Sequence, residues 1–64
     1  MFIAVIRRND NQPILINIDD VSCIIKNKSD NSAIFIFRDD SHIDTTDNYN
    51  TVIKRLITNE LYIQ

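Results

Sequence analysis

The chain of 64 residues contains no glycine at all. Every turn that needs a positive φ must therefore use asparagine or aspartate, the next most tolerant residues. A glycine-rich phosphate-cradling loop is excluded as well. A single cysteine rules out a disulfide within the chain, and Cys23 together with the one histidine, His42, cannot assemble a zinc site of the usual Cys/His composition. Long apolar runs are also missing. None exceeds the six residues of Met1 to Ile6, and Ala33 to Phe37 adds five, against the ~20 that a membrane-spanning helix requires. The N-terminal "MFIAVIRRND" carries its charges after the apolar part, the reverse of a secretory signal. Nor is there an excess of one charge sign. The net charge is −2, with acids and bases interspersed, which gives no electrostatic footprint for direct reading of DNA. These absences together lead us to expect a cytoplasmic protein without membrane contact and without a cofactor. Cys23, set between Val21-Ser22 and Ile24-Ile25, is expected to be a small buried hydrophobe, with no cationic neighbour or helix N-terminus to make it reactive.

What is abundant is isoleucine, thirteen residues, and asparagine, eight residues. The asparagines and aspartates gather in short clusters: "RRNDNQP", "IDD", "NKSDNS", "RDDS" and "TTDNYN". Between them lie β-branched and aromatic segments of strand length. These are Phe2 to Arg7, Ile14 to Ile18 opened by Pro13, Val21 to Asn27, and Ala33 to Arg38, with His42 to Thr45 as a short fifth strand or an extended lead into a helix. Ile14, Ile16 and Ile18 share one face of the second strand, while Leu15 and Asn17 share the other. The period then changes. Tyr49, Val52, Ile53, Leu56 and Ile57 form the apolar stripe of an amphipathic helix from about residue 48 to 59 or a few residues further, with Thr46 or Asp47 as its expected N-cap.

The expected fold is α+β, a single domain over residues 1–64. It is a small antiparallel β-meander of four to five strands followed by one C-terminal helix packed on one sheet face. A core of this size rarely supplies more than ~3–5 kcal/mol, so small domains commonly gain stability from association. The fourth segment, "AIFIF", is apolar on both faces, and one helix covers only one of them. A homo-oligomer is the expected remedy, with Phe35, Phe37, Leu61 and Tyr62 as its interface. Ile34 and Ile36 should face one neighbour and Phe35 and Phe37 the other.

Three groups of side chains could carry chemistry. Arg7, Arg8, Lys26 and Lys28 would form an anion or partner-binding site if the first hairpin and the turn after the third strand meet at one sheet end. Equally, they could be edge and turn charges that keep strands soluble. Asp39, Asp40 and Asp44 could present an acidic surface to a basic partner, or simply form turns. His42 and Asp44 share a strand face and could share an ion, but a metal site needs three or four converging ligands. A solvated turn is the simpler reading. No catalytic residues emerge, and the chain reads as a non-enzyme.

In "ILINIDDVSCII", "AIFIFRDDSHI" and "YNTVIKRLI" the chain resembles the flagellar FlbD-like proteins, small β-meander-plus-helix chains. Ile16-Asn17-Ile18-Asp19-Asp20-Val21 matches the middle of their pattern, whereas the hairpin glycines typical of that family are absent. The resemblance implies a fold, and a regulatory or structural interaction module as one function. Short Ile/Asn/Asp-rich chains also resemble small phage-encoded inhibitors. The leading expectation is accordingly a small oligomeric binding protein that inhibits or sequesters a host component, either a defence protein or a nucleotide signal.

Overall fold

A computed structural model describes residues 1–63, with side chains through residue 58. The elements run β1 (Phe2–Ile6), β2 (Pro13–Asn17), a 3-10 turn (Ile18–Asp20), β3 (Val21–Lys26), β4 (Ser32–Phe37), β5 (His42–Asn48) and α1 (Tyr49–Ile63). The class is the expected one: five antiparallel strands and one C-terminal helix packed on a sheet.

The strands do not form one continuous meander. β1 and β2 make a two-stranded hairpin, and β3, β4 and β5 make a three-stranded sheet in that order. The 3-10 turn separates β2 from β3 and turns the chain between the two sheets. It is held by the Asn17 side chain, which accepts from the Asp19 N–H at 3.0 Å, and the backbone N–H of Arg38 donates to Asp20 O at 3.1 Å. The second contact between the sheets lies between β1 and β5. Arg7 bridges antiparallel to Thr45, and the Arg8 N–H donates to Asp44 O at 2.9 Å.

Three turns adopt positive φ, and each uses the residue types the missing glycine requires: Asn11 at 56°, Asn31 at 63° and Asp40 at 69°. The side chains in the "NKSDNS" and "DDS" clusters then lock the turns in one repeated way. Asn27, Asp30 and Asp39 each accept from both the N–H and the hydroxyl of the serine two residues on, Ser29, Ser32 and Ser41.

The core answers the question posed by the two-faced β4. Its odd residues point inward: Ala33 and Phe35 are buried together with Ile3, Val5 and Ile16 of the hairpin and Val52 of the helix. Tyr49 and Leu56 of α1, and Val21, Ile24 and Phe37 of the three-stranded sheet, pack against this cluster. The hairpin and the helix therefore share the work of covering the inner face. Phe35 has no exposed surface, which corrects its assignment to an oligomer interface. Phe37 is half-buried and packs against the same core. Ile34 and Ile36 lie on the opposite face and are the half-buried residues there. Leu61 and Tyr62, the other two interface candidates, have side chains outside the described residues.

Three further expectations are corrected by local geometry. Cys23 is exposed rather than buried, because a register shift between Val21 and Cys23 turns it to the outer face of the sheet. β5 runs to Asn48 rather than stopping at Thr45, since a second register shift opposite Ser32–Ile34 keeps its end paired with β4, down to Ser32 facing Asn48. The helix cap is then Asn48, whose Oδ1 accepts from the Thr51 N–H at 3.1 Å. Asp47 serves the sheet instead, accepting from the Ile6 N–H at 2.7 Å and tying β1 to β5.

Candidate functional site

The four basic candidates fall into different settings. Arg7 and Arg8 line one shallow recess of about 270 Å3 together with Asn9, His42, Ile43 and Asp44. Each arginine already has a carboxylate. Arg7 grips Asp10 through two hydrogen bonds, 3.0 and 2.7 Å, across the β1–β2 turn. Arg8 reaches the β3–β4 turn, where its Nη2 donates to Asp30, to Ser32 Oγ at 2.8 Å and to Thr45 O at 2.9 Å. Lys26 and Lys28 do not join them. The Lys26 ammonium sits 5.5 Å from the centroid of the Tyr49 ring, a cation–π contact that packs the strand end against the start of the helix. Lys28 is exposed in the β3–β4 turn. The convergence of four cations expected from the sequence is thus reduced to two, both neutralised by neighbouring acids.

The electrostatics carry the same message. The hydrogen bond to Asp10 raises the Arg7 pKa above its ordinary value, and the reciprocal bond holds Asp10 below the usual aspartate range. Asp30 is lowered chiefly by the Ser32 hydroxyl and N–H, and Asp39 by those of Ser41. Each of these carboxylates accepts from local donors. They hold turns in shape.

The acidic candidates separate in a similar way. Asp39 is bound to Ser41, Asp40 supplies the left-handed backbone of the same turn, and Asp44 stands on β5 with one carboxylate oxygen 3.9 Å from His42 Nε2. No group of three or more metal-ligating side chains occurs among the described residues. The carboxylates of Asp39 and Asp44 are therefore on different elements, a turn and a strand face.

Large apolar side chains are exposed on three surfaces. On the hairpin's outer face Leu15 is 69% exposed and Phe2 63%, and Leu15 pairs directly across from the exposed Ala4. On the helix Ile57 is 51% exposed, since the stripe turns Tyr49, Val52 and Leu56 to the core and leaves Ile57 beside it. On the outer face of the three-stranded sheet two rows run across the strands, Cys23–Ile36–His42 and Ile25–Ile34–Asp44. The alternation of β2 sets Leu15 on the face opposite to Ile14 and Ile16, and Phe2 occupies the outward phase of β1, opposite to Ile3 and Val5.

No family model matches the chain, and neither a curated protein nor a solved structure shows significant similarity to it.

Proposed function

We propose that this chain is a small non-enzymatic binding protein that works as an oligomer and acts by occupying a target, blocking or sequestering it in the manner of the small phage-encoded inhibitors it resembles. The observation that carries this reading is the hairpin's outer face. Leu15 and Phe2, both more than 60% exposed, lie beside Ala4 on the two-stranded ladder. Large apolar side chains clustered on an ordered surface are the usual signature of a docking site. Arg7, Arg8, Asp30 and Asp39, by contrast, are engaged in shaping turns and seams.

The same distribution favours a protein target over a nucleotide. The arginines suited to phosphate each hold a carboxylate, so a phosphate would have to displace Asp10 or Asp30 to use them. Quantitative affinity capture with wild type and Leu15→Glu side by side tests the proposal. Leu15 projects away from the core, so the variant keeps the fold while placing a charge in the apolar face. One protein enriched by wild type and lost with Leu15→Glu is the expected result. Equal recovery by both forms refutes the assignment, as does thermal stabilisation by a nucleotide that survives Leu15→Glu.

A further inference from the structure

The three-stranded sheet ends in β3, whose far side has no strand beside it among the described residues. Which backbone groups are free there follows from the turn. The Asn27 N–H donates to Ser32 O at 2.8 Å, so residues 27 and 32 form a hydrogen-bonded pair. Alternation along an antiparallel ladder makes Ile25 with Ile34, and Cys23 with Ile36, the next hydrogen-bonded pairs. The N–H and C=O of Ile24 and Lys26 consequently point into the open edge. Cys23 and Ile25 present exposed side chains on the outer face of the same strand.

Unlike the β2 edge of the hairpin, this one is poorly defended. β2 opens with Pro13, which has no N–H to offer. β3 holds no proline, and its one charge, Lys26, sits at its last position over Tyr49. Only the register shift near Ser22 marks its start. Unpaired apolar edges of this kind are templates for another strand.

We propose that the occupant of this edge is a second copy of the chain, paired antiparallel through a two-fold axis at Ile24. This rests on the oligomeric reading above and gives it a surface and a register. The strand is self-complementary about that point. Ile24 exchanges both backbone hydrogen bonds with its counterpart, Lys26 faces the second copy's Ser22 rather than another cation, and Cys23 faces the second copy's Ile25. Each outer row then runs unbroken across six strands: His42, Ile36 and Cys23, followed by the second copy's Ile25, Ile34 and Asp44. Four apolar side chains meet in the middle of each row, with the His42 imidazole at one end and the Asp44 carboxylate at the other. Like charges never meet. The symmetric arrangement is isologous and closed, which stops the edge from recruiting further strands.

The test combines mass in solution with cysteine placement. Sedimentation of the reduced protein across a wide concentration series is expected to show a rise from one chain, 7.5 kDa, to twice that mass, because a short edge contact lies at the weak end of interfaces. Ile25→Lys, on an exposed position, is expected to stay monomeric throughout with an unchanged far-UV spectrum. Under mild oxidation, Ile25→Cys is expected to form a covalent dimer through Cys23 of each copy and the new thiol of the other. Wild type and the double variant Cys23→Ser/Ile25→Cys are expected to remain single chains. A cross-link in wild type would put Cys23 opposite itself, and one in the double variant would put position 25 opposite itself; either overturns the proposed register. A single-chain mass at every concentration overturns the pairing altogether. Target capture that depends on Leu15 is read separately, so a monomeric protein that still captures its target refutes the self-pairing and the oligomeric part of the proposed function while the target face stands, and a dimer indifferent to Leu15→Glu refutes only the target face.

Discussion

Replacing Thr45 with valine tests the reasoning about the seam between the two sheets. Thr45 is completely buried where β5 meets β4 on one side and β1 on the other. Its hydroxyl donates to Ala33 O at 2.8 Å and accepts from the Asp47 N–H at 3.3 Å. Both contacts lie within the register shift, where the regular ladder does not supply partners. Valine keeps the volume and removes the hydroxyl, leaving a buried carbonyl without that donor. Such a loss costs about 1–3 kcal/mol, and the centre of that range is about half of the ~3–5 kcal/mol a core this small supplies. Two kcal/mol corresponds to a Tm lower by about 8–16 °C for a domain of this size. With a urea m-value of roughly 1 kcal/mol per molar, the midpoint falls by about 2 M. Thr45→Ser keeps the hydroxyl and removes one methyl, which costs about 1 kcal/mol. Urea and thermal unfolding followed by far-UV circular dichroism, at one fixed protein concentration, rank the three proteins. The expected order is wild type, then serine, then valine. Valine equal to or more stable than serine would refute the claim that the hydroxyl, rather than the packing of the side chain, holds the seam.

Phe35→Ala removes the largest fully buried side chain at a cost of about 3–5 kcal/mol, comparable with the whole stability. It is expected to lose cooperative melting, and a retained sharp transition would show that the core lies elsewhere. Asn31 has φ 63°; Asn31→Val is expected to cost about 1–2 kcal/mol, while Asn31→Gly, which gains backbone freedom but loses unfolded-state restraint, is expected to stay within about 1 kcal/mol, both read from urea midpoints. The acid dependence follows from Asp30 and Asp39, whose pKa values lie below the ordinary 3.8 because Ser32 and Ser41 donate to them. Groups lowered in the folded state contribute stability that is present above the unfolded value and lost as pH falls through the folded one. Tm is therefore expected to be flat from neutral pH to about 5 and to fall below about 4, and Ser41→Ala is expected to weaken that fall; a Tm that rises on acidification would contradict the assignment.

Much of the local structure was legible because the missing glycine concentrates turn chemistry in asparagine and aspartate. The clusters marked every strand boundary to within a few residues, and the Asx-x-Ser spacing in "NKS", "DNS" and "DDS" matches the clamps found at Asn27, Asp30 and Asp39. Period changes located the helix. What periodicity could not supply was the phase across a register shift. Cys23 and the length of β5 both depend on such shifts, and one extra residue moves every later side chain to the other face. The pairing of β1 with β5 was equally hidden, since it is fixed by Asp47 reaching Ile6 from 41 residues away. The basic residues were visible as residues, but their neutralisation by Asp10 and Asp30 is a property of the folded turns.

The apolar alternation of "AIFIF" shows how much a two-faced strand does and does not imply. Taken with one helix it demanded an outside partner for a full sheet face. The hairpin meets half of that demand, because the 3-10 turn at Ile18–Asp20 separates β1–β2 from the sheet and lets Ile3, Val5 and Ile16 cover Phe35 from within the chain. The phenylalanines go inward because they carry the larger apolar surface, and the isoleucines are left on the outer face, half-buried between Cys23, Ile25 and β5. The residual need for association is thus smaller than the sequence suggested, and it moves to a different set of residues. A chain that must bury Phe35 to fold but has no such need for Ile25 can exist as a folded monomer and still gain from a second copy. That is the condition for an association governed by concentration rather than by folding, and it separates the two classes of variant: substitutions at Phe35 act on the fold, and those at Ile25 act on the partnership.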